Sequence, residues 1–358
     1  MITVSLCMIV KNEEDVLTRC LSSVKDIVDE IIIVDTGSKD RTKEIAAGFT
    51  DRVYDFEWID DFAAARNFAF SKAKMDYSMW LDGDDIMLQE DQDAFRELKL
   101  TLSSDTDAVK MRYHVGFDQA GNPTYSFYRE RLVRTKKEFR WVGAIHETIA
   151  VSGKIIYSEI AVCHKKLIVK DAMRNLRIYE KQIANGSKLC PRDQFYYARE
   201  LTYHDRDLEA VPILENLLNK NEAWIENQLE ACRLLGQCYH RMQNEHMRVY
   251  SLVRSFDLDA PRAEICCDLG DSFFERQQYE TAIFWYETAL SRQRKDQSGG
   301  FVSPDCYGFY PHIQLCVCFS RMGDQKQANF HNEKAGEFKP ESAAVQSNRK
   351  YFQSLEQE

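Results

Sequence analysis

The sequence has no Lys/Arg-rich run and no apolar run long enough to span a bilayer. Acidic residues outnumber basic ones, 57 against 47, and give a formal net charge of −10. Because proteins that grip a phosphate backbone present basic surfaces, this balance argues against a nucleic-acid partner. We also expect no transmembrane segment. The apolar residues 2–10 follow no basic stretch and precede no small-residue cleavage site, so they predict a buried strand and not a signal peptide.

The eleven cysteines contain no Cys-x-x-Cys pair, so the usual spacing of a zinc site is absent. Their number is odd, and several lie within apolar helical patterns. This usage is typical of reduced, buried thiols in a cytoplasmic protein. We therefore expect a cytoplasmic location.

Residues 1–168 alternate short apolar strands with helical segments, which predicts an α/β fold with a mostly parallel, Rossmann-like sheet. Residues 121–149 look more irregular than the rest. The predicted helices are Glu13–Val24, Asp40–Gly48, Ala63–Lys74 and Gln89–Leu102. The predicted strands are Val4–Val10, Glu30–Val34, Arg52–Tyr54, Tyr77–Leu81, Ala108–Val115, Glu130–Arg134 and Glu138–Val142.

From about Asp171 the chain becomes almost wholly helical. Leu235-Gly236 and Leu269-Gly270 lie one tetratricopeptide period apart, which favours tetratricopeptide-like repeats over an ordinary helical bundle. The predicted helix pairs are Asp193–Lys220, Glu226–Leu258, Ala263–Arg292 and Pro304–Lys339. The predicted domains are an α/β domain over 1–170, a junction helix over 171–190, a repeat domain over 191–345 and a tail over 346–358.

An acidic turn, Trp80–Asp85, follows the predicted strand Tyr77–Leu81. Side chains two residues apart in an extended segment project to the same side, so Asp82 and Asp84 can converge on one hard cation. Asp-Gly-Asp is also a common turn sequence. The position at the carboxyl end of a strand in an open α/β sheet, where ligands bind, favours the metal interpretation.

A second carboxylate, Asp35, emerges at the end of the predicted strand Glu30–Val34, next to Gly37. Asp40 can cap the helix that follows. Asp35 precedes that helix by several residues, so capping does not explain it. As an acceptor, it could bind a base N–H or ribose hydroxyls.

Three segments, Leu6–Glu14, Ile33–Thr42 and Trp80–Asp85, resemble in order and spacing the motifs of family 2 glycosyltransferases. The resemblance covers roughly residues 2–180. It implies a GT-A fold, a nucleotide-sugar donor, a divalent metal (Mn or Mg) and inversion at the anomeric carbon. More narrowly, the chain resembles a bacterial branch in which this domain precedes tetratricopeptide-like repeats. That branch includes lipopolysaccharide-core transferases and sublancin-type peptide S-glycosyltransferases.

Further segments resemble that branch, namely Asp61–Asn67, Arg131–Arg134, Trp141–Glu147 and Lys170–Asn175. The resemblance implies that Asp84 ligates the metal and that Asp82 reaches the metal or the ribose. The branch often ends its metal motif in Glu, where this chain has Asp85. It also often has His-x-Gly-Tyr where this chain keeps only His164.

The remaining predicted roles follow from the reaction. For the general base we favour Glu147, with His146 as the alternative. His164 either completes the metal shell or is a buried structural histidine. The predicted donor-binding cations are Arg66, Arg131 and Arg134, each with a purely structural interpretation beside it.

The leading hypothesis is a metal-dependent inverting transferase that uses a UDP-sugar. The acceptor is a peptide or protein side chain, or a growing surface glycan such as a lipopolysaccharide core. Concave repeat surfaces favour a peptide slightly, although repeats also mediate homodimerisation. A non-catalytic repeat scaffold is the alternative of another class. A nucleotidyltransferase ranks lowest, because the sequence has no Gly-rich phosphate loop with a Lys.

Overall fold

The computed structural model describes residues 1–118, 121, 123–165 and 171–355. The chain divides into two compact units, Met1–Asn185 and Gly186–Glu358. The predicted domain boundary at residue 170 and the first residue of the segment Lys170–Asn175 lie outside the described residues. None of the described helices is both long and apolar enough to cross a bilayer.

The first unit contains a mixed sheet flanked by helices. Its strands are β1 (Val4–Val10), β2 (Glu30–Asp35), β3 (Val53–Asp55), β4 (Tyr77–Trp80), β5 (Asp85–Ile86), β6 (Ala108–Phe117), β7 (Pro123–Arg134), β8 (Trp141–Val142), β9 (Thr148–Ile149) and β10 (Ile155–His164). Its helices are α1 (Leu17–Val24), α2 (Thr42–Ala47), α3 (Phe62–Phe70), α4 (Gln89–Thr101) and α5 (Arg174–Ala184).

The main sheet has the strand order β3-β2-β1-β4-β7-β6-β10-β5. Strand β1 pairs in parallel with β2 and β4, β2 with β3, and β6 with β10. Strand β7 runs antiparallel to both β4 and β6, and β5 runs antiparallel to β10. The parallel strands β1, β2 and β4 therefore bring their carboxyl ends to one edge, which is where ligands of open α/β sheets bind.

The apolar sequence of strand β1 favours a central position in this sheet. All but one of its residues, Ile9, are buried, and Leu6 and Met8 are completely inaccessible. A continuous apolar strand of this kind needs cover on both faces, as a central parallel strand has. On one face β1 contributes to a core that includes Leu17 and Leu21 of α1.

The strand β10 was not predicted from the sequence. Its apolar pattern is interrupted by Ser158 and Glu159, where the register with β6 shifts at an irregularity between Ser158 and Ala161. The residues predicted to be irregular, 121–149, contain the long strand β7. The predicted strand Glu138–Val142 is shortened to β8, because Glu138 adopts a left-handed conformation with φ of 52°.

The second unit is helical over its described residues, with short 3-10 turns between some of the helices. Its helices are α6 (Pro191–Tyr203), α7 (Asp207–Lys220), α8 (Ile225–Arg241), α9 (Glu245–Arg254), α10 (Ala263–Glu275), α11 (Tyr279–Leu290), α12 (Phe309–Arg321), α13 (Gln325–Phe338) and α14 (Ala343–Leu355).

These helices pack as successive pairs, α6 with α7, α8 with α9, α10 with α11 and α12 with α13. The pairs follow the predicted helix pairs closely. The short turn inside each pair has one residue at positive φ, namely Asp205, Gln243, Gln277 and Gly323. The predicted fold class, a mostly parallel α/β unit followed by tetratricopeptide-like helix pairs, is confirmed.

Small residues allow the paired helices to approach closely. At Gly270 of α10, an added Cβ would lie 2.5 Å from Cε1 of Tyr286 in α11. That ring is fully buried, and its hydroxyl donates to Oδ1 of Asp271 at 2.6 Å, so it has little room to move. At Gly236, the equivalent position one repeat earlier, an added Cβ would lie 3.1 Å from the side-chain end of Leu252.

We expect Gly270→Ala to lower the free energy of unfolding by about 1–3 kcal/mol, because a rigid ring has to be displaced. Urea denaturation of the full chain, followed by far-UV circular dichroism, measures this loss. Gly236→Ala is the matched control. Its leucine neighbour can rotate, and a gain in helix propensity of about 1 kcal/mol offsets the crowding. Equal losses in the two variants would contradict the role assigned to Tyr286.

Candidate active site

The acidic turn follows β4 at the carboxyl edge of the sheet and leads directly into β5. Strand β5 pairs antiparallel with the end of β10, which sets Asp85 opposite His164. The backbone carbonyl of Asp84 accepts from the N–H of Lys165 at 3.1 Å. This pairing brings a histidine from far along the chain to the acidic turn.

Asp84, Asp85 and His164 form a group whose potential ligand atoms all lie within 4.8 Å of one another. Nδ1 of His164 is 3.3 Å from Oδ1 of Asp84 and 3.1 Å from Oδ1 of Asp85. Burial alone would lower the pKa of His164. The hydrogen bonds and negative charges of the two aspartates outweigh that effect and raise the pKa to about 10.

Asp85 is completely buried, and both of its oxygens are engaged. Oδ1 accepts from the hydroxyl of Tyr113 at 2.9 Å, and Oδ2 accepts from the backbone N–H of Asp82 at 3.0 Å. Oδ2 also lies 3.2 Å from Nη1 of Arg131, whose side chain is itself inaccessible to solvent. Asp85 therefore fixes the turn and orients His164, while the side chains of Asp84 and His164 remain 19% and 25% exposed.

This donor set fits a divalent cation such as Mn²⁺ or Mg²⁺. Carboxylate oxygens suit hard cations of this kind, and the imidazole of His164 offers a nitrogen ligand beside them. Nδ1 of His164 faces both aspartates, so the two carboxylates together fix the orientation of the ring. A cation binds only the neutral imidazole. Cation binding would therefore release the proton that the two aspartates otherwise stabilise on His164.

Asp82, predicted as a metal or ribose ligand, is not part of this group. Its Oδ1 accepts from Nη2 of Arg66 at 2.7 Å. Burial would raise the pKa of Asp82, but the adjacent guanidinium of Arg66 lowers it to about 2. The structure thus gives Asp82 a cationic protein partner where the sequence suggested shared metal ligation.

Arg66 connects the acidic turn to the predicted base. Its Nε donates to Oε1 of Glu147 at 2.5 Å while its Nη2 holds Asp82. The guanidinium lies between two indole rings, 4.8 Å from the centroid of Trp80 and 4.7 Å from that of Trp141. Its side chain is only 7% exposed, and burial of this kind strengthens charge-assisted hydrogen bonds and cation–π contacts.

The neighbouring residue on α3 positions the second indole. The side-chain amide of Asn67 donates to the carbonyl of Trp141 at 2.9 Å and accepts from its N–H at 2.9 Å. Helix α3 itself begins at a cap, because Oδ1 of Asp61 accepts from the N–H of Ala64 at 2.8 Å. The segment Asp61–Asn67 therefore positions Trp141, Asp82 and Glu147 through the side chains of Asn67 and Arg66.

Asp35 ends β2 and is 2% exposed. Its Oδ2 accepts from the backbone N–H groups of Gly37 and Ser38 at 3.0 and 2.9 Å, a tight turn that Gly37 permits with a φ of +98°. Its Oδ1 is buried and has no hydrogen-bond partner among the described residues. A buried carboxylate oxygen in this state is suited to a ligand N–H or hydroxyl group.

The predicted donor-binding role of Arg134 needs correction. Arg134 opposes Tyr77 at the start of β4, the end remote from the acidic turn. There its Nε donates to the carbonyl of Thr106 at 3.0 Å and lies 3.5 Å from Oδ1 of Asp107. This placement does not support the predicted donor-binding role, because the guanidinium binds residues that precede β6, at the opposite end of β4 from the acidic turn.

Arg131 lies near the turn, but it is fully buried behind Asp85 and also donates to the carbonyl of Trp80 at 3.1 Å. It supports the turn and presents no exposed group to a donor. Glu147 is brought to the turn through Arg66. His146, beside it, adopts a left-handed conformation with φ of 52°.

Two residues near the site were not among those predicted. Asp85 was noted only as a departure from the family pattern, although its adjacency to Asp84 was the available signal. Arg129 of β7 lies 5.3 Å from the centroid of Trp80, and its Nη2 donates to the carbonyl of Glu147 at 3.4 Å. Only the pairing of β7 beside β4 brings it here.

The model of glycosyl transferase family 2 matches residues 5–151, so the resemblance predicted from the motifs is confirmed over that part of the chain. The match includes Asp35 and the acidic turn. His164 lies beyond it.

Two curated relatives illustrate the similarity. The SPbeta prophage-derived glycosyltransferase SunS of Bacillus subtilis is 26% identical over 231 residues, which cover 61% of this chain and 53% of SunS. A TPR repeat-containing protein of Synechococcus elongatus is 41% identical over 149 residues, which cover 42% of this chain and 36% of that protein. The chain thus spans between about a third and a half of the length of these relatives.

Among solved structures, the MamA protein aligns with 45% of this chain and 79% of its own length, at 16% identity and a TM-score of 0.36.

We expect His164→Ala to weaken Mn²⁺ binding at least about tenfold, because an imidazole is lost from the donor group. Isothermal titration of the full chain with Mn²⁺ alone measures this change. His114→Ala is the matched control, since that histidine of β6 hydrogen-bonds Ser126 and lies outside the group. Unchanged Mn²⁺ affinity in His164→Ala would remove the histidine from the metal site.

Proposed function

We propose that this chain is a metal-dependent inverting glycosyltransferase that moves a sugar from a UDP-sugar to a peptide or protein side chain. The observation that carries the proposal is the convergence of Asp84, Asp85 and His164 at the carboxyl edge of the sheet. The match of residues 5–151 to glycosyl transferase family 2 supports the transferase class. So does the relative that is named a glycosyltransferase.

The nucleoside part of the donor would bind at Asp35. Its unpartnered Oδ1 can accept from a uracil N–H or from a ribose hydroxyl, while Oδ2 remains tied to the turn. Such a contact satisfies a buried oxygen that otherwise carries a desolvation cost. Asp82, whose side chain is 34% exposed, is the second carboxylate on this side that a ribose could reach.

Asp84 and His164 would hold the divalent cation, with Asp85 behind them orienting the ring. When bound, the cation would act as a Lewis acid and neutralise charge on the diphosphate. The ion pairs of Arg66, Asp84 and Asp85 already fix these side chains in place. Little reorganisation of the side chains would therefore be needed when negative charge develops on the leaving group.

Glu147 is our candidate base, and His146 is the alternative. The acceptor hydroxyl or thiol would lose its proton to the base and attack the anomeric carbon from the face opposite the leaving group. The bond between that carbon and the diphosphate oxygen would break, and its electron pair would remain on UDP. Arg66 holds the carboxylate of Glu147 in one orientation, as a positioned base requires.

For the acceptor we favour a peptide over a surface glycan. The second unit consists of stacked helix pairs, and such arrays present extended surfaces that suit a polypeptide chain.

The wild-type chain should release UDP from UDP-glucose or UDP-N-acetylglucosamine in the presence of Mn²⁺, and faster with a suitable peptide pool. Coupled detection of free UDP measures this turnover. Asp84→Ala should reduce it at least about a hundredfold, because one metal carboxylate is lost. A wild-type chain that neither binds nor turns over any UDP-sugar would instead favour the non-catalytic scaffold.

We expect Glu147→Gln to reduce transfer about 10²–10⁴-fold, the usual contribution of a general base, and to leave UDP binding within a few-fold. Transfer to acceptor and UDP affinity are measured separately on the same preparation. His146→Asn is the paired variant. If transfer persists in Glu147→Gln and disappears in His146→Asn, the base is His146.

A further inference from the structure

Three guanidinium groups surround one indole at the end of β4. The side chains of Arg66, Arg129 and Arg131 lie 4.8, 5.3 and 3.8 Å from the centroid of the Trp80 ring. Each guanidinium carries a full charge at any physiological pH. Three such positive charges around one ring repel each other, and nearby anions are needed to offset this repulsion.

Two of the three have carboxylate partners. Arg66 pairs with Asp82 and Glu147, and Arg131 pairs with Asp85. Arg129 has no carboxylate within 4.0 Å among the described residues. Its Nη2 makes one long hydrogen bond, 3.4 Å to the carbonyl of Glu147, and its Nε is buried without a partner in the described chain.

The register of the sheet explains where Arg129 lies. Strand β7 pairs with β4 through Met79 and Leu132, and then continues past the point where β4 ends. The indole N–H of Trp80 donates to the carbonyl of Glu130 at 2.5 Å, so this part of β7 runs directly beside the start of the acidic turn. Arg129 therefore belongs to the same edge as Asp84 and His164, unlike Arg134.

We propose that Arg129 binds a diphosphate oxygen of the nucleotide-sugar donor. A partly buried guanidinium with an unpartnered Nε lacks a counter-ion, and a phosphate oxygen supplies both the charge and the acceptor that its planar fork requires. The inference rests on the proposed function. It gives Arg129 a donor-binding role of the kind that the sequence analysis predicted for Arg131 and Arg134.

Titration calorimetry of the full chain in saturating Mn²⁺ tests the assignment, with UDP and uridine as the two ligands. Arg129→Gln should weaken UDP binding about tenfold or more, the usual effect of losing a charge-assisted hydrogen bond. Uridine has no phosphate, so its affinity should change less than about twofold. Arg129→Lys, which keeps the charge but loses the fork, should fall between Arg129→Gln and the wild type for UDP.

Arg112→Gln is the matched control. Arg112 also belongs to this sheet and lies 4.1 Å from the centroid of an aromatic ring, that of Tyr128, but it pairs with Glu159 away from the acidic turn. The Arg112→Gln variant should bind UDP and uridine with wild-type affinity. Circular dichroism of each variant checks that the fold is retained.

Equal losses for UDP and uridine in Arg129→Gln would overturn the assignment, because a phosphate contact cannot affect a ligand without phosphate. Unchanged UDP affinity in Arg129→Gln, with normal binding by the wild type, would also overturn it while leaving the proposed function intact. If the wild type binds no UDP in Mn²⁺, both the proposed function and this inference fail.

Discussion

The site depends on one ion-pair network, in which the buried side chain of Arg66 joins Asp82 to Glu147 between the rings of Trp80 and Trp141. These residues come from helix α3, from strands β4 and β8, and from two loops. The ion pairs with Arg66 fix the positions of the two loops relative to each other. Removing one member of such a network leaves a buried charge without its partner, which typically costs about 3–5 kcal/mol. Arg66 thus positions the acidic turn and the candidate base together.

The three carboxylates of the acidic turn have different partners, and their roles differ for that reason. Asp82 faces a guanidinium, which holds its pKa at about 2. Asp85 is enclosed by Arg131, Tyr113 and the turn itself. Asp84 alone combines partial exposure with a position next to His164, which is why we assign it to the proposed cation.

Local patterns predicted much of the fold. Apolar runs located β1, β2 and β4 within a residue or two, and the recurring Leu-Gly pairs indicated the helix pairs of the second unit. Strand β10 escaped prediction because Ser158 and Glu159 interrupt its apolar pattern at the irregularity in its pairing with β6. This strand carries His164, so the position of that residue in the candidate site could not be predicted either.

The sequence by itself determined that carboxylates end two parallel strands, because apolar periodicity and strand polarity are local properties of the chain. It also carried the family resemblance over the first unit. Only the tertiary structure decided which charges meet. Asp82 lies with Arg66, Asp85 with Arg131, and Arg134 at the far end of β4. These pairings depend on strand order and register, which join residues far apart in sequence and leave no periodic signal in it.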